Sequence, residues 1–191
     1  MMKRVLISLF SFGFVIPVFV EAQPPESPRI DSIVMLHPQP HESESNVIWF
    51  DDFDGPVKPY GESQGGLSQS VYFGESGQSM VSHYPKGSRG IGNRKVFFGD
   101  SPTGNPIIQR GKKFEDVYWR IYVKHQDGWT GGGPAKLSRA TSLATPNWAQ
   151  AMISHVWSSG ETLTLDPASG VRGDKVVTTR YNDFDNLHWL G

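Results

Sequence analysis

The sequence predicts an all-β fold, a jelly-roll β-sandwich of two antiparallel sheets. Three observations carry the prediction: short apolar runs bounded by turn residues, a period-two alternation in the longest runs, and no convincing amphipathic helix. Composition agrees, because 21 Gly, 14 Pro and 12% aromatic residues in 191 supply many turns and many rings. That length suits one domain. A formal charge of −1 speaks against bulk nucleic-acid binding. Zero cysteine excludes disulfides, thiolate zinc sites, a Cys nucleophile and a lipidated Cys anchor.

The chain opens as a targeting segment. Met1-Met2-Lys3-Arg4 is a basic start, Val5 to Val20 is an apolar run, and Val20-Glu21-Ala22 places small residues at −3 and −1 of a cleavage site. Sixteen residues broken by Gly13 and Pro17 are short for a membrane span of about 20. Residues 1–22 are therefore read as a signal peptide, the mature chain as secreted or periplasmic, with no membrane span after cleavage. Residues 23–46 hold five prolines and little periodicity, which describes an extended linker. Pro38 and Pro40 forbid the helix on which His37 and His41 could share a metal.

From residue 47 onward strands are expected. Val47 to Phe50, Val71 to Phe73, Lys95 to Phe98 and Pro106 to Ile108 are apolar runs ended by Gly, Pro, Ser or Asp. The clearest is Asp116 to Lys124, where Val117, Trp119, Ile121 and Val123 alternate with Tyr118, Arg120, Tyr122 and Lys124. Ala149 to Trp157 alternates likewise, with Ala151, Ile153, His155 and Trp157 on one face and Gln150, Met152 and Ser154 on the other. On that parity Gln150 and His155 converge only if a bulge intervenes. His155, among apolar neighbours, reads first as a hydrogen-bonded core histidine. Glu161 to Asp166 and Lys175 to Tyr181 complete the set.

Charge is unevenly spread. Residues 23–85 carry 2 basic and 9 acidic side chains (−7), residues 86–139 carry 11 and 4 (+7), and residues 140–191 carry 3 and 5 (−2). A cationic middle with interleaved rings (Tyr118, Trp119, Tyr122, Trp129) suits an anionic polymer, and export points to an acidic polysaccharide rather than a nucleic acid. Hydrolysis by paired acids is disfavoured, because Asp51-Asp52 and Glu115-Asp116 are adjacent and Glu161 and Asp166 are five apart, on opposite faces of a strand. Cleavage by β-elimination needs a cation or amide to neutralise a uronate and a base to take the activated proton.

The chain has those groups. Lys136, Tyr122, Arg120 and Tyr181 form the candidate catalytic set, and Lys124, Arg139, Gln150, Trp129 and Trp148 the candidate substrate-binding set. Each has an ordinary alternative as a surface charge, strand-edge amide or packed ring. No protein-bound metal is called for. A structural calcium at Asp51-Asp52-Phe53-Asp54-Gly55 stays open, although the spacing is out of register for a calcium loop and turn formation is the preferred reading.

Val47-Ile-Trp-Phe-Asp-Asp-Phe-Asp-Gly55 resembles the entry strand of concanavalin A-like lectin/glucanase domains. Val117-Tyr-Trp-Arg-Ile-Tyr-Val-Lys124 with Gly131-Gly-Gly-Pro-Ala-Lys-Leu137 is similar to a strand–loop–strand of jelly-roll polysaccharide lyases, of the glucuronan-lyase-like and alginate-lyase-like kind. The resemblance spans about residues 47–191 and implies a glycan groove containing Lys136 and the Arg120, Tyr122 and Lys124 face. It departs from some alginate lyases, whose Arg-x-Glu-x-Arg and Gln-Ile-His phrases are missing. It also implies further strands beyond residue 191, so the domain is read as incomplete. The alternative to a lyase is a non-catalytic carbohydrate-binding module that stacks sugars on Trp129, Trp148 and Tyr122; an adhesion domain without a sugar site is the third reading.

Overall fold

A computed structural model describes residues 44–74, 76–88, 90–129, 135–159 and 162–190. Residues 1–43, which hold the expected signal peptide and nearly all of the expected linker, lie outside the described residues. Those described form an all-β chain without a helix: β1 (Glu62–Ser63), β2 (Gly66–Ser68), β3 (Ser79–Val81), β4 (Arg94–Lys95), β5 (Phe97–Phe98), β6 (Ile107–Ile108), β7 (Ala135–Leu143), β8 (Gln150–Ser159), β9 (Thr162–Ser169), β10 (Val171–Arg172), β11 (Lys175–Val176) and β12 (His188–Trp189). Among them no helix is long and apolar enough to cross a membrane.

One sheet dominates. It has four antiparallel strands in the order β12-β9-β8-β7; the other strands pair in twos, β1 with β4, β2 with β3, β10 with β11, and β5 with β6. The β5–β6 pair is parallel, unlike the uniformly antiparallel pairing expected. On one face of the main sheet Ile153, Ala168 and Trp189 lie in register across β8, β9 and β12. Ile153 and Ala168 are fully buried, and Leu187 closes over them with Trp189. On the opposite face Met152, Leu163 and Leu165 stay 51%, 65% and 59% exposed.

Several expected strands differ. Among the described residues Asp116 to Lys124 has no ladder partner, and it runs without a bend. Alternation favours a strand, but a ladder needs a neighbour's N–H and C=O groups, and none of the described residues pairs with this segment. Its apolar side is not buried either, since Trp119, Ile121 and Val123 are each 40% or more exposed. Val47 to Phe50 and Val71 to Phe73 also remain outside the ladders, and of Lys175 to Tyr181 only Lys175 and Val176 pair. β7 was not anticipated, because Ala-Lys-Leu-Ser-Arg-Ala-Thr-Ser-Leu has no clean alternation.

Residues 177–187 fold back over the start of β8. Thr178 Oγ1 accepts from Gln150 N at 2.9 Å and donates to Gln150 O at 2.8 Å. Asp183 accepts from Thr179 N at 2.8 Å and from Asn186 Nδ2, which hold its carboxyl below the usual range. Gly170 sits where this crossing is tightest: a Cβ there would collide with Gln150 O and the Thr178 methyl. Replacing Gly170 by Ala is therefore expected to lower stability by about 1–3 kcal/mol, read as a shifted denaturant midpoint at unchanged slope. A midpoint equal to wild type would show that the crossing is loose.

Candidate functional site

The register of β7, β8 and β9 determines which side chains share a face. Lys136 lies opposite Trp157, Arg139 opposite His155, and Thr141 opposite Ile153. On the other side of β8, Trp157 faces Thr164 and His155 faces Asp166. Lys136 and Arg139 are three apart and would point to opposite faces of a regular strand. They share one because the ladder slips between Lys136 and Ser138, leaving Leu137 as the extra residue of a bulge.

A second slip between Ser142 and Leu143 leaves Ala151 unpaired in β8, so Gln150 pairs with Leu143. Gly170 N takes the Ala151 carbonyl at 2.8 Å, which satisfies the bulge. Sequence parity set Gln150 on the face opposite Ile153 and His155; the slip overturns this and puts it on their face. There Gln150 Oε1 accepts from Asn182 N at 2.9 Å, anchoring the segment that carries Tyr181.

Tyr181 stands over two cations. Arg139 donates to its hydroxyl and places its guanidinium 4.8 Å from the ring centroid. Lys136 Nζ lies 5.9 Å from the same ring and 5.8 Å from that of Trp157. Trp148, at a left-handed φ of 67° in the β7–β8 turn, sets its ring edge-on to Tyr181 at 5.9 Å and to Phe97 at 5.6 Å. Lys95 Nζ lies 5.2 Å from the Trp148 ring, although its partner in charge is Glu62 at 2.7 Å. Among the described residues no carboxylate forms an ion pair with Lys136 or Arg139, and Asp166, opposite His155 on β9, accepts from Trp157 Nε1 at 3.2 Å.

His155 is fully buried beside this cluster, and among the described residues neither ring nitrogen has a hydrogen-bond partner. The expected hydrogen-bonded core histidine is thus not what the fold contains. Burial lowers its imidazole to about 4, helped by the Lys136 and Arg139 charges against a smaller pull from Asp166. At neutral pH it is an uncharged ring, able to accept a proton. Gln150 Nε2 and Thr141 Oγ1 are likewise buried without a partner. Unpaired buried polar atoms are uncommon, and their concentration on one face marks it as a candidate site.

The predicted residues divide into two groups. Lys136, Arg139, Tyr181, Trp148 and Gln150 come together. Arg120, Tyr122, Lys124 and Trp129 do not join them. Their segment is tied to the other face, where Trp119 Nε1 donates to Ser138 Oγ at 3.1 Å and His125 Nε2 lies 3.5 Å from Ser158 Oγ. Ser138 and Ser158 are one step out of phase with Arg139 and Trp157, hence on the opposite side. Trp129 stacks on His125 at 5.2 Å. The sequence reading missed Trp157 and Asp166 as neighbours of the site; both share the alternation phase of His155 once the β8–β9 register is known.

The Asp51 to Gly55 loop is closed by its own hydrogen bonds. Asp51 accepts from Phe53 N and from Tyr60 Oη at 2.6 Å, and Asp54 takes Gly77 N with both oxygens at 2.9 Å. Burial first, then the Asp51 hydrogen bond, raise the Tyr60 phenol above its ordinary range. Among the described residues no three acids or histidines converge as metal ligands. A cavity of about 30 Å³ beside this loop, lined by Asp51, Lys58, Tyr60 and Arg94, holds little more than a water.

The sequence matches no protein-family model, and no curated protein and no solved structure matches it.

The pH dependence of stability tests the burial of His155. Between pH 6.5 and about 4 the unfolded chain binds a proton that the native histidine refuses, so stability falls as pH drops through that window. Relative to a His155→Gln variant, wild type is expected to lose about 3 kcal/mol more between pH 7 and pH 4. Parallel pH profiles for the two proteins would show the ring to be solvated.

Proposed function

We propose that the face bearing Lys136, Arg139, Trp157 and Tyr181 binds an acidic polysaccharide. The supporting observation is two cations that, among the described residues, have no carboxylate partner, set among rings and above buried polar atoms that lack hydrogen bonds there. A carboxylate-bearing sugar offers what each group lacks: negative charge for Lys136 and Arg139, and an apolar ring face for the aromatics. The site reaches the surface at its edge, with Lys136 exposed and Arg139, Trp157 and Tyr181 half-buried, which suits a chain lying across it better than an enclosed small molecule. The basic-apolar N-terminus with its small-residue cleavage pattern supports an exported protein, where such polymers are met.

The same groups support β-elimination. Arg139 or Lys136 neutralises a uronate carboxylate, which acidifies the adjacent ring C–H. The neutral His155 accepts that proton, the C–O bond to the leaving sugar breaks, a C=C bond forms, and the leaving oxygen takes the Tyr181 hydroxyl proton or one from water. We read the all-β architecture as a jelly-roll sandwich, supported by exposed Met152, Leu163 and Leu165, which a second sheet would cover. The alternative is a binding module of the same build without turnover, favoured by the burial of His155 away from solvent.

Replacing Lys136 or Arg139 by Ala is expected to weaken retention on polyuronates about 10- to 100-fold, the value of one charge-assisted hydrogen bond. Retention of wild type should fall steeply with salt. Release of unsaturated, ultraviolet-absorbing product from glucuronan or alginate identifies the lyase; retention without product identifies the module. Equal affinity of the Ala variants and wild type would remove this face as the site.

A further inference from the structure

The four-stranded sheet stops short along one border. β12 pairs with β9 only at Ala168 and Ser169, and Leu190 N donates to Pro167 O at 2.9 Å beside them. Among the described residues no strand lies along Leu163 to Leu165 on that border. In an antiparallel ladder both backbone groups of a residue point to one side, and successive residues alternate. The Pro167 carbonyl points away from β8, toward Leu190, and the β8–β9 register has no slip. The N–H and C=O groups of Leu165 and Leu163 therefore also point outward, while Thr164 and Asp166 turn theirs to β8. The side chains of Leu163 and Leu165, opposite Ser158 and Val156, are 65% and 59% exposed. Native edges are usually blunted by a lysine, a proline or a bulge. Thr162-Leu-Thr-Leu165 has none of these, and the first charge and first proline come only at Asp166 and Pro167.

We infer that this border of β9 is an interface, and that its occupant is β9 of a second copy of the chain, antiparallel across a two-fold axis at Thr164. The segment is self-complementary about that residue. Leu163 meets Leu165 of the second copy, and Thr162 meets Asp166, so the two Asp166 carboxylates are kept apart. Each Leu163–Leu165 pair exchanges both of its outward backbone bonds, four in all. The four leucines then stand side by side on one face and cover one another. β12 does not obstruct the pairing, because the second strand ends opposite Asp166, one residue before the Pro167 carbonyl that Leu190 takes. The axis is perpendicular to the sheet, so the Trp157 sides of both copies look the same way. Three residues of backbone and two leucines per copy make a small contact, which sets the expected dissociation constant in the micromolar range. The inference does not depend on the glycan reading.

Sedimentation equilibrium of the exported chain tests it. Wild type is expected to pass from monomer to dimer as concentration rises through the micromolar range. Leu163→Lys with Leu165→Lys, at exposed positions chosen so that the fold is kept, should weaken self-association at least tenfold. The chain has no cysteine, so a single introduced one reports the register. Thr164→Cys faces its own copy at a non-hydrogen-bonded position, where Cα atoms lie about 4.5 Å apart, and should oxidise to a disulfide-linked dimer. Met152→Cys, also exposed but on β8 and away from the border, should do so at least tenfold more slowly. A wild type that stays monomeric throughout would overturn the inference. A dimer in which Thr164→Cys links no faster than Met152→Cys would overturn it as well, since the copies would then meet elsewhere. Neither result alters retention on polyuronate, so this interface can fail while the glycan face stands.

Discussion

Two one-residue slips in the β7–β8 ladder control what this molecule presents on its main face. A strand alternates sides strictly, so a set of groups meant to act together must share parity or be brought into phase by a bulge. The Leu137 bulge turns Lys136 to the side of Arg139, and the Ala151 bulge turns Gln150 to the side of His155. Without the first, one cation would leave Tyr181. Without the second, Gln150 could not hold Asn182, and the segment that positions Tyr181 would lose its anchor at the sheet.

That anchoring segment links stability to the site. Thr178 clasps both backbone groups of Gln150, Asp183 gathers the N–H and hydroxyl of Thr179 and the amide of Asn186, and Leu187 seals Ile153 and Ala168. The small apolar core and the polar cluster therefore lie on one face of one sheet and share one covering strip. Packing at the Leu187 end holds the backbone that brings the Tyr181 ring over Arg139 and Lys136.

The electrostatics follow from burial. Removing His155 from water penalises its charged form, and two neighbouring cations add to that penalty, so the ring stays neutral where histidines often carry a proton. Neutrality lets Lys136 and Arg139 sit close above it without a third positive charge. It also leaves two ring nitrogens, Gln150 Nε2 and Thr141 Oγ1 buried with hydrogen-bonding capacity that no described residue meets. Such groups have value chiefly when something else satisfies them.

By itself the sequence determined the all-β class and the alternation from Met152 to Trp157, because turn residues, rings and period-two spacing act locally. It named Lys136, Arg139, Tyr181, Trp148 and Gln150 as candidates, and the fold brings those five together. The same local reasoning grouped Arg120, Tyr122, Lys124 and Trp129 with them, made Asp116 to Lys124 the best strand, and overlooked β7. Those outcomes were decided by tertiary structure alone. Whether an alternating segment joins a ladder depends on a neighbour's free backbone groups, and which face a residue occupies depends on bulges that depend on pairing partners far along the chain. Parity is written into each strand, but phase between strands exists only once they are paired.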